Sequence, residues 1–279
     1  MMMIRQEGLF LMRLWHTAFN FYSAAILLFL VVPVLIIVPL SFNSGSFLSY
    51  PLNGFSLRWY QAFFHSREWL GALGNSLLIA PLATLLATIL GVLASVGLVR
   101  GEFRGKTLVM AIIVSPMIAP VVIVAVGLFF FFARISLLNS YLGLVLAHAM
   151  LGVPFVVITV TAVLKNYDRN LSRAAASLGA PPWLVFARVT LPLIAPGVFS
   201  GALFAFAASF DEVVVTLFLA SPGQRTLPIQ MFAGIRENLD PTIAAAASLM
   251  VGASLILLLV MEMLRRRSAR IRGSEGRGR

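Results

Sequence analysis

Six separate stretches of about 20 apolar residues, joined by short polar connections, constrain this chain more than any other feature. A helix of that length, rising 1.5 Å per residue, crosses the roughly 30 Å hydrocarbon core of a bilayer. The first stretch runs from Ala24 to Phe42, with ILLFLVVPVLIIVPL at its heart. The others are Ala72 to Leu98, Thr107 to Phe132, Tyr141 to Leu164, Gly197 to Ala220 and Thr242 to Leu264. Lipid leaves no partner for an unpaired backbone amide, and no alternating barrel pattern is present, so each stretch is read as a helix. The chain is 60% hydrophobic and only 11% charged, too little polar residue to coat a soluble globule, whose charged share is about 25%. The expectation is an all-α membrane protein: a six-helix transmembrane domain over residues 24–264, an N-terminal segment 1–23 and a basic tail 265–279. No small-residue cleavage pattern follows the first span, which is therefore read as a retained anchor.

The net charge of +11 reports topology once its sources are located. Sixteen of the 21 Lys and Arg residues fall at the two ends, in the turn Arg100 to Lys106 and in the segment Lys165 to Arg188. The other five, Arg58, Arg67, Arg134, Arg225 and Arg236, fall in the alternate connections. Basic residues concentrate on the cytoplasmic side, so both termini are expected there. Tyr50, Phe55, Trp59 and Tyr60 suit the outer interface. The tail RRRSARIRGSEGRGR is read as a stop-transfer and lipid-contact element, each basic residue gaining about 1 kcal/mol from anionic headgroups. No nucleic-acid partner is expected.

Enzymatic motifs fail on inspection. With no cysteine in the chain, disulfides, thiolate metal sites and cysteine nucleophiles are excluded. GEFRGKT at Gly101 to Thr107 has three residues between its glycines where a P-loop has four, and it follows a membrane helix where a strand is required. His16, His65 and His148 lie in different segments without metal-ligand spacing. No metal, cofactor or catalytic residue is expected. His148, inside the fourth span, is read as a helix-packing hydrogen bond, with a place on a transport pathway as the alternative.

The segment 165–196 is the longest cytoplasmic connection, and long ordered loops are commonly functional. DRNLSRAAASLGAPPW reads as a short helix with Asp168, Asn170 or Ser172 as cap, an alanine-rich body and Gly179 as a left-handed C-terminal residue. Pro181 and Pro182 stop it. A second helix starts at Trp183, and Pro192 and Pro196 are expected to bend the chain back to the membrane, giving a helical hairpin on the cytoplasmic surface.

Ala174, Ala175, Gly179, Val189, Leu191 and Pro192 stand at the spacing of the EAA loop: Glu-Ala-Ala, three residues, Gly, nine residues, Ile, one residue, Leu-Pro. The segment resembles the signature of inner-membrane permeases of bacterial ABC importers. FSLRWYQAFF at Phe55, LGNSLLIAPLATLLATILG at Leu73, LAHAMLGVPFVV at Leu146 and ASFDEVVVTLFLASPGQRTLPIQMF at Ala208 are similar to the second permease subunit of spermidine/putrescine importers. The resemblance implies a type I importer permease fold in the bacterial inner membrane and a sister permease beside the chain. It also implies two ATP-binding subunits below and a periplasmic solute-binding protein above. It implies that Arg173, Ala174, Ala175, Ala176, Leu178, Gly179 and Pro192 form the seat for the ATPase. Arg173 stands where the family has glutamate, and in a first helical turn it would oppose the helix dipole. Other small organic solutes or ions remain as cargo, and so does a scaffold that holds a cytoplasmic partner without conducting.

Polar residues inside the spans favour transport, among them Asn75, Ser76, Ser95 and Ser115. The fifth span carries the adjacent acids Asp211 and Glu212, and a charge at the centre of a span costs roughly 2.5 to 3.5 kcal/mol on insertion scales. Read as one continuous helix, the span puts Glu212 on a face with Ser209 and Thr216, whereas Asp211 is flanked at those spacings by apolar residues. Glu212 is therefore the candidate to line a pathway, with Ser209, Thr216 and His148 beside it, and Asp211 the candidate to brace a neighbouring helix.

Overall fold

The computed structural model describes residues 2–237 and 240–275. Met1 of the N-terminal segment and the last four residues of the basic tail lie outside the described residues. Among the described residues there are helices and one isolated bridge, Asn43 to Phe55, but no strands. The α-helices are α1 (Met2–Leu40), α2 (Arg58–His65), α3 (Arg67–Arg100), α4 (Lys106–Ile118), α5 (Val121–Arg134), α6 (Tyr141–Lys165), α7 (Arg169–Ser177), α8 (Pro182–Val185), α9 (Leu191–Phe210), α10 (Val214–Leu219), α11 (Leu227–Glu237) and α12 (Thr242–Glu275).

Among the described residues four helical runs are long and apolar enough to cross a bilayer, Trp15–Leu40, Arg67–Arg100, Tyr141–Lys165 and Pro182–Phe210, and a fifth if the bent pair α4 and α5 is one span. The expected third span is not one helix. It breaks between α4 and α5, which bend by 106°. The cause is local: Ala119 precedes Pro120, and the proline ring disfavours helical backbone in the residue before it, so Ala119 is extended at φ −68°, ψ 142°. The expected sixth span, Thr242 to Leu264, lies within the single helix α12, whose stretch Thr242–Ile256 is apolar.

The chain divides into two compact units. The smaller comprises the chain up to Phe63 with the stretch that ends at Gly252. Its loop after α1 is organised by the fully buried Asn43, whose Oδ1 accepts from the amides of Gly45 and Asn53, both at 3.1 Å, and whose carbonyl accepts from Trp59 Nε1 at 2.8 Å.

The larger unit, Phe64 to Glu237 with the rest of α12, is built on three helices packed through small residues. Ala83, Ala87, Gly91 and Ser95 recur every four residues on the buried face of α3; Gly197, Gly201, Ala205 and Ser209 do the same on α9. Between them α6 presents Gly152, Val156, Val160 and Leu164 at the same period. Residues four apart lie on one helix face, so each run is a continuous seam. Lipid tails are as apolar as leucine, and association in a membrane therefore rests on close packing, for which glycine and alanine are suited. The fit is tight. A Cβ added at Gly91 would stand 2.6 Å from Val156 Cβ, and one at Gly201 would stand 2.7 Å from Val156 Cα. Ser95 Oγ closes the seam by donating to Gly91 O at 2.7 Å and Val157 O at 3.3 Å. A second core joins Ile79, Ala125, Phe132, Leu144, Val215 and Leu219, where α5 and α10 meet α3 and α6.

The packing predicts a graded glycine response. Gly201→Leu should destabilise the folded chain in detergent by about 1–3 kcal/mol, the usual overpacking penalty. Gly97→Ala, on a face of α3 where a Cβ meets nothing within 4 Å, should leave the unfolding midpoint unchanged. Equal shifts for the two would contradict the seam.

Candidate functional site

Two separate constellations carry the residues singled out by sequence. The first is the loop 165–196. Of the three candidate caps, Asp168 is the one used: its Oδ1 accepts from the Asn170 amide at 2.9 Å and starts α7. The helix therefore begins at Arg169, and Arg173 stands in its second turn, not in the first turn where it was expected to oppose the dipole. At the other end Gly179 has φ +84°. Its amide donates to Ala176 O at 2.9 Å and the Ala180 amide to Ala175 O at 3.3 Å, the paired bonds of a Schellman motif. Space around Gly179 is open, so glycine is required there by backbone conformation and not by crowding.

The second arm of the expected hairpin is not a separate helix. From Pro182 to Phe210 the chain is one helical run of 29 residues, and Pro192 and Pro196 do not turn it. Proline 192 has no N–H to return to the carbonyl four residues earlier. The π-turn Phe186–Thr190 immediately before it, closed by the Leu191 amide on Phe186 O, widens the helix at that point. The foot of α9 is tied to α3 by Arg100 Nη2, which donates to Thr190 Oγ1 at 2.8 Å. The start of α7 is tied to the same helix by Arg169 Nη2, which donates to Val99 O at 2.8 Å. Tyr167 and Ser172 share a hydroxyl bond of 2.6 Å. With its base fixed in this way, the loop turns Arg173, Ala174, Ala176, Leu178 and Gly179 outward, and Leu178 is 89% exposed. Ala175 is half-buried.

The second constellation lies where the expected fifth span ends. The span is broken: α9 stops at Phe210, Asp211 follows at φ −97°, ψ 3°, and α10 starts at Val214. Glu212, Ser209 and Thr216 therefore do not share a face of one continuous helix. His148 joins the two pieces. Its Nδ1 lies 2.8 Å from Ser209 Oγ in α9 and its Nε2 lies 2.8 Å from Thr216 Oγ1 in α10. The Thr216 hydroxyl also lies 3.4 Å from Glu212 O, to which it can donate. All three side chains are buried. Glu212 is half-buried, and its Oε1 accepts from the Val215 amide at 2.8 Å, so the carboxylate caps α10. Asp211 is exposed, and its carboxylate makes no hydrogen bond among the described residues. The two acids thus differ in occupation: one is used in the break and the other is free.

Other polar residues of the spans are consumed in structure. Asn75 Nδ2 donates to Gly223 O at 3.0 Å and Arg225 O at 2.9 Å, and its Oδ1 accepts from Tyr141 Oη at 2.9 Å. Ser76 Oγ accepts from the Leu227 amide, and Gln224 Nε2 donates to Asn139 O. Together they pin the segment after α10 to α3 and to the start of α6. Sequence reasoning missed this lock, although Gln224 three residues after Ser221 was a visible capping-box spacing. Among the described residues no group of three or more acidic, histidine or cysteine side chains is arranged to hold a metal.

The family model for the binding-protein-dependent transport system inner membrane component matches residues 87–270. The chain belongs to this family. The spermidine/putrescine transport system permease protein PotC of Shigella flexneri is 30% identical over 254 residues, 91% of this chain and 96% of that protein. The putrescine transport system permease protein PotI of Escherichia coli (strain K12) is 36% identical over 232 residues, 81% of this chain and 82% of that protein. A bacterial alginate ABC transporter, solved in complex with an alginate pentasaccharide-bound periplasmic protein, shares the fold. Its TM-score is 0.65 over 89% of this chain and 93% of that one, at 15% identity. The chain is thus a multi-pass inner-membrane permease subunit of an ABC importer and is not itself an enzyme.

The His148 bridge is testable without transport. His148→Leu should lower stability by about 1–2 kcal/mol, from two interhelical bonds of roughly 0.6 kcal/mol each and the hydroxyls left unpaired. A double-mutant cycle with Thr216→Val should show coupling of about 0.6 kcal/mol, and a cycle with Ser95→Ala none. Additivity in the first cycle would contradict the bridge.

Proposed function

We propose that the chain forms half of the translocation pathway of a polyamine importer, beside a sister permease, with two ATP-binding subunits below and a periplasmic solute-binding protein above. In this reading the chain crosses the membrane six times with both termini in the cytoplasm, as the distribution of its basic residues favours. Arg173 to Gly179, with Pro192 at the foot of α9, seat the ATPase. The outward alanines admit close approach, and the ties from Arg100 and Arg169 to neighbouring elements carry movement of the seat into α3 and α9.

The observation that carries the choice of cargo is the free carboxylate of Asp211 at the break between α9 and α10. Non-helical backbone at membrane depth is tolerated where it is buried in protein or lines an aqueous cavity, and an unpaired acid there suits a cationic solute. Glu212 adds charge while capping α10. The spermidine and putrescine named for PotC and PotI agree with that preference.

Uptake by the complete importer tests the reading. Asp211→Asn should lower putrescine transport efficiency by roughly ten- to a hundredfold, the scale of one charge-assisted hydrogen bond, with ATPase co-purification unchanged. Glu212→Gln, which keeps the cap oxygen, should lower it less. Parental transport in both variants, or uptake of an anion in place of putrescine, would sink the cation pathway.

A further inference from the structure

A groove of about 790 Å³ opens between the ends of α3 and α6, one side of α4 and the start of α7. Most of its wall is apolar, formed by Leu98, Met110, Val114, Ile118 and Leu164. Lys106, Lys165 and Arg169 line it as well, and no carboxylate does. Asp168, next to Arg169 in the chain, has its Oδ1 committed to the cap of α7. The groove also contains the N-terminal turn of α4, where Gly105 supplies no side-chain cap and Lys106 and Thr107 face the cavity. Uncapped amides at a helix start favour an anion. Thr161 completes the wall: it is 8% exposed, and its hydroxyl has no hydrogen-bond partner.

We propose that this groove binds one anionic glycerophospholipid, its phosphate held by Lys106, Lys165 and Arg169 and an acyl chain laid along the Met110, Val114 and Ile118 face of α4. Charge decides against the polyamine itself, since three cations repel it. The apolar wall decides against a small soluble anion, which would engage the basic residues and leave the rest uncovered. A basic pocket between membrane helices on the cytoplasmic side matches the chemistry of an acidic headgroup with its chain. That placement rests on the proposed orientation, with the loop 165–196 in the cytoplasm. A lipid seated here stands directly behind α7, so it would brace the proposed ATPase seat from the membrane side.

Native mass spectrometry of the full chain in mild detergent tests the site. Phosphatidylglycerol should be retained one per chain, at least tenfold over phosphatidylcholine, and millimolar inorganic phosphate should not displace it. Lys106→Gln with Lys165→Gln should weaken retention about 30-fold, at about fivefold per cation. Val114→Trp should weaken it by a similar factor by filling the groove with every charge intact. Arg104→Gln, which removes a charge from the same turn outside the groove, should change it less than twofold. Equal retention of the two lipids, full displacement by phosphate, or a loss in Arg104→Gln as large as in the double variant would overturn the proposal. Binding in detergent is blind to membrane orientation, so failure here and failure of the topology are distinguishable.

Discussion

Close approach of α3, α6 and α9 through small residues is the constraint on which the larger unit depends. In lipid no hydrophobic gain accrues from burying one apolar helix against another, so the three must meet by shape. The four-residue recurrence of Ala83, Ala87, Gly91 and Ser95 and of Gly197, Gly201, Ala205 and Ser209 lets both backbones reach α6. Ser209 is also the last member of its run, and it is there that the seam changes character. His148, one turn before Gly152 on α6, meets Ser209 with a hydrogen bond in place of a packing contact.

From that point the helix can break without loosening the bundle. His148 holds α10 through Thr216, and Glu212 satisfies the amide of Val215 that the break exposes. Asp211 is left outside this network: its carboxylate is exposed and makes no hydrogen bond among the described residues. The opposite end of the same helices is fixed by Arg100 on Thr190 and Arg169 on Val99 O. The seam thus joins the loop 165–196, tied at its base by two hydrogen bonds, to a polar break near the other end of α9. In the proposed function that connection carries movement of the ATPase seat to the pathway.

The parts of the fold written in local chemistry were legible in sequence. Asp168 and Gly179 bound α7 because an N-cap side chain and a left-handed C-terminal glycine act over a few residues. The outward alanines follow from the same short helix. Hydropathy, however, does not register continuity. Thr107 to Phe132 and Gly197 to Ala220 are apolar throughout, yet Pro120 breaks the first and the Asp211–Glu212 pair breaks the second. Glu212 does not share a helical face with Ser209 and Thr216 for that reason, since the register ends at Phe210. Pro192 misled in the opposite direction: a π-turn absorbs the missing bond, and the helix continues. The lock made by Asn75 with Gly223 and Arg225 depends on residues about 150 positions apart, a pairing that only tertiary structure supplies.

In the proposed function the break after Phe210 opens to a pathway travelled by a cation. Because the chain contains no cysteine, a single introduced thiol is a clean probe of that surface. The direct measurement is modification of Val213→Cys, which lies in the same break and leaves the Asp211 carboxylate intact, in the assembled importer by a membrane-impermeant thiol reagent, with and without putrescine-loaded binding protein and ATP, with Leu217→Cys as the comparison. Modification at position 213 should slow during turnover with putrescine, and no such protection is expected at 217, where the leucine is exposed on α10. A thiol at 213 that is unreactive throughout, or reactive without any effect of the solute, would contradict a cation pathway at the break.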